Sequence, residues 1–122
     1  DIYFNYLLKE SGKKNEAIEG LRNSIKYYEA ELVNTYGMNL TINRLQLAAS
    51  YAMLGENKKA LKYLSLLEKS GLFEYPITLK FPGFDNLRND PEFKAIVKRI
   101  EDQRAAIREK VREMEQNGEL HL

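Results

Sequence analysis

The chain has 122 residues, 43% of them apolar and 30% charged, with no cysteine and a net charge of +1. That size suits a single domain able to bury a core unaided, and the missing thiols exclude cysteine nucleophiles and thiolate metal sites. Near-neutral charge gives no global attraction to nucleic acid or an acidic membrane, and no apolar run approaches the roughly 18 residues of a spanning helix.

A first helical hairpin is expected over residues 1–37. It opens on IYFNYLLKES, an apolar helix stopped by Gly12 and the polar KKN. The sequence starts at Asp1 already in a helical pattern, so it is read as a piece of a longer protein, and the lack of a leader says nothing about export. From about Asn15, the residues Ile18, Leu21, Ile25, Tyr28, Leu32 and Tyr36 recur in steps of three and four, which draws one stripe on a long second helix. Gly37 is expected to cap that helix at its C-terminus, because glycine enters the left-handed region without steric penalty.

A second hairpin is expected over residues 38–71. NLTINRLQLAASYAMLG supplies its first helix, with Asn39 or Thr41 as N-cap and Gly55 as the stop. NKKALKYLSLLEKSG supplies the next, with Ala60, Leu61, Leu64 and Leu67 on one face and Gly71 closing it. Short turns between such helices favour antiparallel neighbours, so the predicted class is all-α.

Laying Gly12 on Gly55 pairs Ile2 with Leu45, Phe4 with Leu47, Leu8 with Tyr51, Ala17 with Ala60, Ile18 with Leu61 and Leu21 with Leu64. One helical hairpin is thus used twice, with a small alanine five residues after each turn that lets the helices press together. Hairpins of this kind bury their faces by stacking. Together the two hairpins resemble the tetratricopeptide repeat over roughly residues 2–71, the second keeping Leu47, Tyr51, Gly55 and Ala60 of its pattern. The second departs from that pattern at Arg44, which stands for tryptophan, at Ala48 for glycine, at Leu64 for the aromatic, and in lacking the closing proline. The first keeps Gly12 and Ala17 but has Asn5 for glycine and Leu8 for tyrosine. The offset of 43 residues exceeds the family's period of about 34, the excess lying in the long second helix. A generic antiparallel bundle is the plainer alternative.

The connector, residues 72–90, cannot be a third hairpin, because Pro76 and Pro82 lack the amide donor and bias the preceding residues away from helix. It is rich in Phe73, Tyr75, Ile77, Leu79, Phe81 and Phe84, so it is expected to lie against the helices. Asp85 is expected to cap a short turn, NLR. Asp90 is expected to cap the final helix, with Pro91 at its first position and Leu87 and Phe93 as anchors. FDNLRNDPEF is also similar to the ending of bacterial tetratricopeptide proteins, whose arrays lie C-terminal to a sensor, regulatory or enzyme domain. The resemblance implies the same placement here.

A capping helix follows over residues 91–117, with a tail over residues 118–122. Positions 93, 97, 100, 104, 107, 111 and 114 alternate steps of four and three, a short heptad seam interrupted by Arg104. Phe93 to Ile100 are expected on the second hairpin. Ile107, Val111 and Met114 lie beyond it and are candidates for folding back, for an upstream domain, or for a homodimer contact. Ordinary packing within the chain is the simpler reading.

No catalytic constellation emerges, and no cofactor, metal site or enzymatic activity is expected. His121 is the sole histidine and stands in the tail, and capping explains Asp85, Asp90 and Glu92 better than a carboxylate cluster does. The basic residues of the last helix alternate with acids, with pairs such as Lys98 and Asp102, so a solvated face accounts for them better than a nucleic-acid surface. The family resemblance implies a protein or peptide partner held in a groove lined by the first helix of each hairpin. Carried over by alignment, that groove is Ile2, Tyr6, Leu45, Ala49, Ala52 and Met53. It lacks the lysine and asparagine set that clamps a terminal carboxylate in the chaperone-binding members. An apolar helix or extended segment is therefore the expected ligand, and Tyr3 and Tyr6 are expected to face the groove or an upstream helix.

Overall fold

The computed structural model describes residues 2–70 and 79–119, and the fold is all-α. Five α-helices run in order among these residues: α1 (Ile2–Glu10), α2 (Lys14–Glu31), α3 (Gly37–Met53), α4 (Asn57–Ser70) and α5 (Pro91–Gln116). A 3-10 turn at Leu32–Asn34 follows α2, and another at Pro82–Leu87 precedes α5. Gly71, Phe73, Tyr75, Pro76, Ile77 and His121, which the sequence singled out, lie outside the described residues.

The turns after α1 and α3 share one hydrogen-bond pattern. Gly12 and Gly55 take φ of +85° and +78°. Lys13 N–H then donates to Leu8 O at 2.9 Å, and Glu56 N–H to Tyr51 O at 2.9 Å. Each glycine thus sits at the left-handed step that lets the amide after it close the ending helix. Beyond the turns, Ala17 and Ala60 are both buried, as are Leu21 and Leu64. The helix seams differ in one respect. A Cβ on Gly20 would lie 2.2 Å from Asn5 Oδ1, so buried Asn5 fits only because α2 offers glycine there. At the corresponding places in the second hairpin the sizes are reversed, with Ala48 for Asn5 and Tyr63 for Gly20.

The α2–α3 junction departs from expectation. α2 ends at Glu31 and tightens into the 3-10 turn, and the backbone extends through Thr35 and Tyr36. Gly37, at φ +56°, then opens α3 and does not close α2. Neither Asn39 nor Thr41 caps α3, whose N-cap is Tyr36 without a side-chain bond. Tyr36 is consequently 79% exposed, and Tyr27 is 60% exposed with its ring against Tyr28.

The core gathers around the second half of α3. Every residue from Leu47 to Met53 is buried, because α1, α2, α4 and the Pro82–Leu87 turn all pack on this helix. α4 presents Ala60, Leu61, Leu64 and Leu67 inward, as their spacing predicts. Tyr51 and Tyr63 stack at 6.0 Å between ring centres, 6° from parallel. Both hydroxyls donate to Oε1 of Glu29 on α2, Tyr63 at 3.5 Å. Burial first, and then the Glu29 carboxylate, pushes the Tyr51 hydroxyl above the ordinary tyrosine range, and the same causes raise Tyr63.

The described part of the connector, residues 79–90, is held by its own side chains. The Arg88 guanidinium donates to Leu79 O, to Phe81 O at 2.9 Å and to Asp85 Oδ1 at 3.3 Å. Asp85, expected as a cap, therefore serves as the partner of Arg88, inside the turn and not at its start. Asn86 Nδ2 donates to Ala52 O at 2.9 Å and so fastens the turn to the end of α3. Asp90 does cap α5, accepting from the amides of Glu92 at 2.8 Å and Phe93 at 3.3 Å, with Pro91 at the first helical position. Leu87 and Phe93 are both buried, which makes them the anchors expected of them. Farther along α5, Arg99 forks onto Glu68 of α4 at 2.7 and 3.0 Å, and Ile96 and Ile100 are buried.

Replacing Arg88 by leucine should cost roughly 2–3 kcal/mol in urea unfolding, since it leaves two carbonyls of the connector without their donor. A loss under about 0.5 kcal/mol would show that apolar packing alone holds the segment. Tyr51→Phe should cost roughly 1 kcal/mol at neutral pH, because Glu29 keeps access to water. The unfolded hydroxyl titrates near pH 10 and the folded one higher. Its contribution is full below about pH 10 and is lost as pH climbs toward the folded value. Alkaline unfolding should therefore be steeper in the parent than in Tyr51→Phe, as thermal melts across that range would read.

Candidate functional site

The face between α1 and α3 is where a groove was expected. Ile2, Leu45 and Ala49 do converge there, around a cavity of about 160 Å³ completed by Tyr3, Gln46, Phe81 and Phe84. Tyr6 and Met53 line a separate hollow of about 80 Å³ with Pro82, Gly83, Asp85 and Asn86. Ala52, near the end of α3, is fully buried, with its carbonyl taken by Asn86. The six residues thus share one region, but they do not form one continuous open wall.

Phe81 divides them. Its ring meets Tyr3 edge-on at 4.9 Å, Tyr6 at 5.5 Å and Phe84 at 6.3 Å. Gly83 makes this possible, since a Cβ there would fall 2.2 Å from the Phe81 ring and 3.1 Å from Met53. Phe81 and Phe84 are themselves 8% and 1% exposed. Ala49, Ala52 and Met53 are therefore interior residues, which corrects their reading as an open groove surface: the chain's own connector covers them. What stays accessible is the mouth by α3, where Leu45 and Gln46 are half-buried.

Sequence reasoning missed Phe81, Phe84 and Gln46 as parts of this site. The signal for the first two was present in the density of aromatic residues after Pro76, which predicted an ordered connector without saying which face it would cover. Tyr3 and Tyr6 do face this region, as their position in α1 suggested.

The chemistry of the cavity is that of apolar recognition. Its lining offers one side-chain amide, Gln46, and one hydroxyl, Tyr3, amid aliphatic and aromatic groups. Among the described residues, no three or more of the histidine, aspartate and glutamate side chains are grouped to hold a metal ion, and no helix is long and apolar enough to cross a membrane.

The second predicted site, on α5, is laid out differently. Beyond Ile100 the helix carries no buried residue: Ile107 is 62% exposed, Val111 39% exposed, and Met114 and Arg104 are half-buried. Lys98 bonds Asp102 at 2.8 Å and Arg112 bonds Glu109 at 3.2 Å, so the pairing expected along this face is present. Compared with known proteins, the chain matches no family model, no curated protein and no solved structure.

Proposed function

We propose that this chain is a tetratricopeptide-like protein-interaction module that receives an apolar side chain of a peptide or helix between α1 and α3. The observation that carries this reading is the apolar cavity of about 160 Å³ enclosed by Ile2, Leu45 and Ala49. It lies between the first helices of two hairpins that share one turn geometry. Stacked hairpins leave such a face between their first helices, and burial of one bulky apolar group there supplies about 1.5–3 kcal/mol. Phe81 closes the far end, so the partner engages a single anchor pocket and does not lie along a full-length groove. The resemblance of FDNLRNDPEF to bacterial array endings supports a place as the C-terminal interaction module of a larger protein.

Peptides selected by display on the intact chain should shift the backbone amide resonances of Ile2, Leu45, Gln46 and Ala49. Leu45→Glu should weaken the best of them at least about tenfold, and Gln46→Trp, which fills the mouth without entering the core, should do the same. Binding that maps elsewhere, or that neither variant moves while helical circular dichroism is intact, would falsify the assignment.

A second reading, self-association through α5, rests on residues 101–116. That stretch is roughly 24 Å of helix without a buried side chain, and isolated helices of this length are marginal in water. A partner copy along Ile107, Val111 and Met114 would supply the missing burial. In sedimentation, the parent should then weigh as a dimer and Val111→Glu as a monomer. A parent that stays monomeric at high concentration ends this reading.

A further inference from the structure

A larger hollow lies on the other side of the connector, outside the α1–α3 face. It measures about 350 Å³ and is lined by Leu79 and Lys80, by Arg88, and by Phe93, Lys94, Val97, Lys98 and Glu101 of α5. Its size falls at the small end of the roughly 300–1,000 Å³ typical of ligand sites, enough for one bulky side chain. The floor is apolar: Leu79 and Phe93 are each 3% exposed, and Val97 is half-buried. Val97 belongs to the heptad seam, yet it opens onto this hollow.

The rim is cationic beyond what the chain's net charge of +1 suggests. Four of the lining side chains are basic and one, Glu101, is acidic. Two of the cations are already engaged. Arg88 spends its guanidinium on Leu79 O, Phe81 O and Asp85, and its carbon lies 5.6 Å over the Phe93 ring. Lys98 bonds Asp102 at 2.8 Å. Lys80 and Lys94 are exposed and have no ion pair with any other described residue. Both line the hollow, one from the connector and one from the first turn of α5.

We propose that this hollow docks an acidic peptide segment that carries one bulky apolar side chain. The apolar group would rest on Val97, Phe93 and Leu79, and acidic residues flanking it would reach Lys80 and Lys94. Glu101 sets the polarity by disfavouring acid at its own end of the hollow. A bare phosphate or other small anion fits less well, because it would leave the apolar floor unfilled and finds no buried donor in the lining. A nucleic-acid strand needs a continuous uncompensated basic track, and along α5 the cations alternate with acids, with Lys98 paired to Asp102, Arg99 to Glu68 and Arg112 to Glu109. The site is separate from the α1–α3 cavity and does not depend on the reading given to that face.

The probe is a fluorescein-labelled, C-terminally amidated peptide with one central phenylalanine flanked by aspartate and glutamate, titrated with the intact chain and followed by anisotropy. Saturable binding is expected that weakens about tenfold in Lys94→Glu, more in Lys80→Glu combined with Lys94→Glu, and several-fold as salt rises from about 50 to about 500 mM. Val97→Asp should weaken it as well, and Leu45→Glu should leave it unchanged. The charges replaced are exposed, so circular dichroism should stay that of the parent. The proposal is overturned if the peptide fails to bind, if a lysine-flanked version binds as well, or if Lys94→Glu has no effect. A parent dimer that Lys94→Glu dissociates would also overturn it, by assigning the surface to a second copy of the chain.

Discussion

Everything in this molecule leans on seven consecutive residues of α3, LAASYAM from Leu47 to Met53, all of them buried. A helix hidden on every side must keep its neighbours close, and Ala48, Ala49, Ser50 and Ala52 are what let them approach. The three large residues then have defined tasks. Leu47 fills the interior, Tyr51 stacks on Tyr63 and reaches Glu29 of α2, and Met53 meets the connector at Gly83. A bulkier residue at any of the alanines would push away α1, α2, α4 or the connector, since each has that one helix as its common surface.

The end of α3 also decides where the connector lies. The Ala52 carbonyl belongs to the last turn of the helix, and Asn86 comes to bond it. With Asn86 held there, the Pro82–Leu87 turn sits over Met53 and the aromatic side chains fall toward α1. Arg88 then gathers the backbone of Leu79 and Phe81 from behind. Asp90 follows within a few residues and starts α5 against α4. A sequence that looks like dense punctuation is thus a chain of short-range bonds, each placing the next, anchored at one carbonyl.

Legibility in the sequence follows the range of the interaction. Gly12, Gly55, Ala17, Ala60 and the Asp90–Pro91 helix start were readable because a few adjacent residues determine each of them. So were the inward residues of α4, whose spacing alone defines a face. The α2–α3 junction was not. Gly37 announces a left-handed backbone, but whether that conformation closes one helix or opens the next depends on where α2 stops packing, a tertiary matter. Asp85 was misread for a similar reason: its partner Arg88 lies within the turn, and Asp85 bonds it only because Arg88 is already turned inward by two carbonyls. The residues read as a groove lie on α1 and α3. Their accessibility was not legible, because nothing local to Ala49 or Met53 tells that Phe81, some thirty residues away, will cover them.

The connector leaves the α1–α3 cavity and the basic hollow sharing one stretch of backbone. Phe81 turns its ring toward Tyr3 and Tyr6, while Leu79 and Lys80 line the hollow beside α5. The Arg88 guanidinium bonds the carbonyls on both sides of Lys80, so the backbone between the two faces is held as one piece. The Phe81 ring lies on the side of α1, while its carbonyl is held from the other side by Arg88. Rotation of the ring about its own side-chain bonds leaves that hydrogen bond in place. Arg88 therefore fixes the backbone behind both faces without tying the Phe81 side chain to Leu79 and Lys80.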